Sequence, residues 1–150
     1  MKWTLISNAS NDIKEYHLIR DGNTLVVMKY NPDQQTVRIV HEGDRLVFFM
    51  ENAGYAHRLI FKSVYGVDQG KYLYNNRNHT GRLEINNAVF DYNIVTGNQP
   101  KLIVHQNNRR EPLAVCQMPD TGMHPPSIYE QAGMVLSVCS FSGEPAVRRK

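Results

Sequence analysis

SIYEQAGMVLSVCSFSG, residues 127–143, decides the fold of this chain. Ser127 and Glu130 have the S-x-x-E spacing of a capping box, in which the serine hydroxyl accepts from the glutamate amide and the carboxylate reaches back. Pro125 and Pro126 stop any earlier helix. Gly143 stands where a left-handed C-terminal cap belongs, and Pro145 prevents continuation. Between these signals Ile128, Tyr129, Ala132, Met134, Val135, Leu136, Val138, Cys139 and Phe141 point in every direction around the axis. A helix that is apolar all round has to be surrounded by protein. The spacing therefore predicts a buried helix over 128–142.

What surrounds it is legible upstream. Strand signals rich in Val, Ile, Leu, Phe and Tyr recur at Trp3–Ile6, Lys14–Arg20, Thr24–Tyr30, Thr36–His41, Arg45–Glu51, His57–Val64, Lys71–Asn75, Arg82–Ile85, Val89–Val95, Lys101–Gln106 and Leu113–Met118. Leu46 to Met50 is apolar on both faces, which predicts a strand covered on both sides. Arg82-Leu83-Glu84-Ile85 alternates cleanly, with Leu83 and Ile85 inward. The separators are turn chemistry: Asp21-Gly22-Asn23, Asn31-Pro32-Asp33, Glu42-Gly43-Asp44, Asn52-Ala53-Gly54, Asn86-Asn87 and Thr96-Gly97-Asn98. Loops this short join antiparallel neighbours and leave no room for βαβ crossovers. The expected fold is mainly β: a closed antiparallel barrel of about 11 to 12 short strands enclosing one hydrophobic C-terminal helix. A 15-residue helix is about 22 Å long, which matches the height of such a wall. Residues 119–127 read as the link from the last strand to the helix, and no linker divides the 150 residues into more than one domain.

Bulk composition narrows the function classes. A hydrophobic content of 41% supports a packed core, and a net charge of +3 falls short of the concentrated basicity of a nucleic-acid binder. Cys116 and Cys139 lie in apolar runs and read as buried free thiols. No signal peptide is visible, and the C-terminal apolar run, broken by Ser137 and Ser140, is shorter than the roughly 20 residues of a membrane span. The expected compartment is the cytoplasm.

This pattern resembles the tubby C-terminal-like superfamily, which includes tubby-like domains, phospholipid scramblases and plant LURP-one-related proteins. The resemblance is carried by the strand series from Tyr16 to Met118, by YGVDQGKYLYN (Tyr65–Asn75), by GRLEI and AVFDYNI (Gly81–Ile94), and by the helix Ile128–Ser142. It implies a roughly twelve-stranded barrel around a hydrophobic helix. It also implies a binding role, since tubby-like domains bind phosphoinositides through basic surface residues. Gly133, Ser137, Ser140 and Ser142 are unusual in such a helix.

The chemistry-bearing residues are scattered. His17, His41, His57, His79, His105 and His124 include no paired zinc-ligand spacing, and Glu15 with His17 is a single E-x-H that shares a strand face. Apolar neighbours keep Cys116 and Cys139 inert, and no nucleophile elbow or phosphate loop is present. Glu84 and Asp91 could face each other across a hairpin, but Glu84 alternates outward. No catalytic residue, cofactor site or metal site is assigned. Tyr72, Tyr74, Tyr92, Phe48, Phe49 and Phe61 sit in strands, where packing accounts for them.

In a simple meander, one barrel end gathers Arg20, Arg45, Lys71, Arg109, Arg110, Arg148, Arg149 and Lys150. It also gathers Asp21, Glu42, Asp44, Asp68, Glu111 and Glu144, so the field is weak and a solvated mixed surface is the plain reading. The functional reading is an anion-binding surface of Arg20, Lys71, Arg109, Arg110, Arg148 and Arg149. The expected function is thus a non-enzymatic binding module for anionic phospholipid head groups or a protein partner. A barrel carrying a small apolar ligand and an enzyme with an unrecognised site are the alternatives. The carrier is excluded if Ile128–Phe141 occupies the lumen.

Overall fold

The computed structural model describes residues 1–7, 13–53, 57–75, 77–121 and 125–142. The strands are β1 (Lys2–Ser7), β2 (Lys14–Arg20), β3 (Asn23–Asn31), β4 (Thr36–His41), β5 (Asp44–Asn52), β6 (Arg58–Lys62), β7 (Asp68–Asn75), β8 (Thr80–Ile85), β9 (Ala88–Val95), β10 (Lys101–Gln106) and β11 (Ala114–Gln117), followed by the helix α1 (Ile128–Ser142). From β1 to β11 each strand pairs with the next, and β1 closes the barrel against β11. Every sequential pairing is antiparallel. The seam is parallel and short, joining Lys2 to Gln117, with Gln117 N donating to Met1 O at 2.9 Å.

The turns close for the expected reasons. Asp21 and Gly22, Glu42 and Gly43, and Asn86 and Asn87 all have positive φ, the conformation of two-residue hairpins that match strand twist. Asn31 Oδ1 accepts from the amides of Asp33 (3.0 Å) and Gln34 (3.3 Å) and so supplies the turn that Pro32 primes.

Eleven strands about 4.8 Å apart and tilted about 40° make a wall of radius about 11 Å. Layers of secondary structure pack at about that separation, so the lumen has room for one helix. The helix fills it. Residues 132–139 are buried without a break, more than two full turns. Around them pack Trp3, Tyr16, Leu18, Met28, Leu59, Phe61, Tyr72, Leu83, Phe90 and Leu102, each under 2% exposed. Gly133 is part of this fit: a Cβ there would lie 2.6 Å from Met28 Sδ and 2.9 Å from Val37 Cγ2. Ser137 is buried but satisfied, its hydroxyl donating to Gly133 O at 2.8 Å. Two of the unexpected small residues in the helix thus have a packing role.

Some boundaries and one face differ from the sequence reading. β6 ends at Lys62 rather than Val64, because Ser63 to Val67 forms a tight turn. β7 starts at Asp68 rather than Lys71; Gly70, read as loop, pairs inside the strand and lets the Glu84 carbonyl approach. β11 is shorter than Leu113–Met118 by one residue at each end. β5 is not covered on both sides. Phe48 and Met50 point into the core, but Phe49 faces outward and is 40% exposed, since a closed barrel has one interior. Packing therefore accounts for Phe48, Phe61, Tyr72 and Tyr92 but not for Phe49. The expected C-cap at Gly143 and Pro145 lies outside the described residues.

Candidate functional site at the barrel rim

Residues 132–139 occupy the lumen, which turns attention to the two ends and the outer wall. At the end where α1 begins, the capping box forms with a change. Glu130 N donates to Ser127 Oγ at 3.3 Å, but the carboxylate, buried at 3% exposure, turns to side chains. It accepts from Tyr16 Oη and from Ser127 Oγ (2.9 Å), and Lys14 Nζ lies 3.6 Å away. Burial, then the hydrogen bond to Glu130 and its charge, hold the Tyr16 phenol far above the ordinary tyrosine range. Burial, followed by the charges of Glu130 and Tyr129, pushes Tyr30 up to about 12. Tyr30 stacks on Tyr129 with ring centroids 6.1 Å apart. These phenols are neutral and this carboxylate is satisfied: the cluster pins the helix start to β2 and β3. Beside it, a surface hollow of about 630 Å³ is lined among others by Lys2, His79, Gln117, Asp120 and Gln131.

Apart from Lys62, raised by its hydrogen bond to Glu51 on the outer wall, the other shifted groups belong to the lumen. Tyr72 and Tyr92 stack at 5.1 Å, and burial raises both, Tyr92 to about 12. Gly81, opposite Tyr92 in register, makes space for that ring, whose hydroxyl would lie 2.5 Å from a Cβ there. Burial also raises the thiols of Cys116, to about 11, and Cys139; both are free and buried, as expected. Glu15 and His17 do meet, at 2.7 Å on the outer wall. Asp91 faces Arg82, at 3.0 Å, rather than Glu84, which lies 4.0 Å from Lys71.

The opposite end carries the turns 21–22, 42–43, 63–67, 86–87 and 107–113, as antiparallel alternation requires. Of the residues assigned to an anion-binding surface, Arg109 and Arg110 stand exposed together on the last of these loops. Arg20 ends β2 beside Asp21, level with Met1. Met1 bonds to Gln117, so Arg20 stands two strands round the wall from β11. Lys71 is on the outer wall of β7 beside Glu84. Arg148 and Arg149, with Lys150, lie outside the described residues. The described residues that the sequence reading gathers at this end are five basic ones (Arg20, Arg45, Lys71, Arg109, Arg110) and five acidic ones (Asp21, Glu42, Asp44, Asp68, Glu111), and Lys62 stands there too, between Glu51 and Asp68.

The rim also holds residues that the sequence reading did not single out. Val64, Tyr65 and Val67 are 58%, 89% and 56% exposed. Their turn is held firmly. Ser63 Oγ accepts from the amides of Tyr65 (3.2 Å) and Val67 (3.3 Å), Ser63 N donates to Val67 O (2.9 Å), Gly66 N donates to Ser63 O (2.9 Å), and Gly66 has φ +80°. Apolar letters next to a strand carry the strand reading on to Val64, and Tyr65–Gly70 reads as a plain loop.

Comparisons with protein-family models, with curated proteins and with solved structures find no match for this chain.

Proposed function

We propose that this chain is a non-enzymatic, tubby-like binding module that recognises anionic phospholipid head groups with the rim bearing Arg109 and Arg110. The observation that carries this reading is the filled lumen: residues 132–139 take the space an apolar cargo would need, so recognition falls to the outside. The groups with shifted proton affinity are chiefly lumen tyrosines and cysteines held neutral by burial, which favours binding over acid–base chemistry. The wall bears charge at mid-strand, with Lys29, Arg38, Lys71 and Arg82 exposed. That is unlike the apolar band of a barrel that spans a bilayer, and favours contact through an end. No described helix is long and apolar enough to cross a membrane. Residues 143–150, outside the described residues, contain Glu144 and three basic residues.

Co-sedimentation with vesicles tests this reading. Binding is expected to vesicles containing phosphatidylserine or phosphoinositide, and not to phosphatidylcholine alone, and to weaken with salt. Each unopposed basic residue near an anionic surface is worth about 1 kcal/mol, so Arg109→Glu with Arg110→Glu should weaken binding at least about tenfold. Equal or absent binding to both vesicle types refutes the reading.

A further inference from the structure

We propose that the turn Val64-Tyr65-Gly66-Val67 is an apolar anchor that enters the head-group region of the membrane when the rim docks; the inference rests on the lipid-binding reading above. Three neighbouring apolar side chains more than half exposed are costly to leave in water, and here they form one protruding tip. The tip is preorganised by its Ser63 and Gly66 bonds, so little ordering entropy opposes its insertion. A tyrosine, with an apolar body and a polar tip, suits the boundary between lipid and water.

The choice of a membrane as occupant follows from what flanks the turn. Going round the rim, the Asn86-Asn87 turn comes next and the Arg109-Arg110 loop after it. The hairpins of β6–β7 and β10–β11 are four strands apart, about 25 Å round a wall of radius about 11 Å and about 20 Å straight across. Asp68, the nearest acidic residue in sequence, lies 4.0 Å from Lys62, which also holds Glu51 at 2.8 Å. One flat anionic surface can therefore meet the apolar tip and the arginines together. An anchor of this kind sinks about 5–10 Å, no deeper than the head-group boundary.

The test uses Tyr65→Cys labelled with an environment-sensitive fluorophore. Cys116 and Cys139 are buried and their thiols raised by burial, so the label goes to position 65. On vesicles containing phosphatidylserine, the emission should shift to the blue and be quenched by lipids spin-labelled near the head group. The same label at Asp33→Cys, in the β3–β4 turn at the other end, should not respond. In the unlabelled protein, Tyr65→Ser should weaken vesicle binding about tenfold and leave the melting temperature unchanged. If the protein sediments with these vesicles but the label at 65 does not respond, the anchor is wrong and the lipid reading stands. If it sediments with no vesicle, both fall. A blue shift on concentrating the protein without lipid would mean that a second copy covers the tip, and would overturn the anchor.

Discussion

Glu130 shows how one residue can tie three elements together. A carboxylate in a dry barrel end is tolerated only if its oxygens are used. Here they accept from Tyr16 on β2 and Ser127 at the helix cap, with Lys14 close by. Truncation in Glu130→Ala would leave the buried Tyr16 hydroxyl without its acceptor, at a cost of about 1–3 kcal/mol. Lys14, about a third exposed, would return to water and add little. Glu130→Gln keeps an acceptor for Tyr16 and should recover part of the loss. Urea denaturation should therefore rank wild type above Gln above Ala; an Ala variant as stable as wild type would show that the cluster does not hold the helix. The sequence revealed half of this. The S-x-x-E spacing marked the cap, but the side-chain turn toward Tyr16, 114 residues earlier, depends on barrel closure, which no local pattern encodes.

At the scale of elements, the helix is the central test. Val135 and Leu136 are at most 1% exposed inside the wall. A carboxylate at either position would be buried without a partner, at a cost of several kcal/mol against a total margin of about 5–15. Val135→Asp and Leu136→Asp should therefore lose cooperative thermal unfolding. As a control, Arg82→Ala removes an exposed pair with Asp91 and should cost under about 1 kcal/mol. Wild-type melting of either aspartate variant would refute the enclosed helix. This helix was readable because its apolar positions go all the way round and its start is punctuated. β2, β4 and β10 were readable to the residue because turn chemistry brackets them. β6 and β7 were not. Their connection is legible as a loop over Tyr65–Gly70, but the hydrogen bonds of Ser63 start the turn earlier, and the pairing of Asp68 and Gly70 ends it sooner. Basic residues could be assigned to an end by counting strands, but that Lys71 lies on the wall beside Glu84 depends on register.

The whole barrel has one collective electrostatic property. It encloses phenols and thiols that are easy to ionise when unfolded and hard to ionise in place. Burial raises Tyr30 and Tyr92 to about 12 and Cys116 to about 11, from ordinary values of about 10 and 9. Above about pH 9 the unfolded chain releases these protons first and so binds fewer than the folded one. Stability then has a negative slope with pH. These groups contribute their full stability below about pH 9 and lose it progressively as pH rises through about 12. Melting temperature should be flat with respect to them near neutrality and fall steadily above about pH 9, with buried tyrosinate absorbance rising only as the barrel opens. Cys116→Ala removes one of the two buried thiols and should make the fall between about pH 9 and 10 shallower, with Cys139 still contributing, whatever cavity cost it adds at every pH. If buried tyrosines instead ionised freely at about pH 10 in a protein that stayed folded, solvent would have to reach the lumen, and the closed wall around α1 would be wrong.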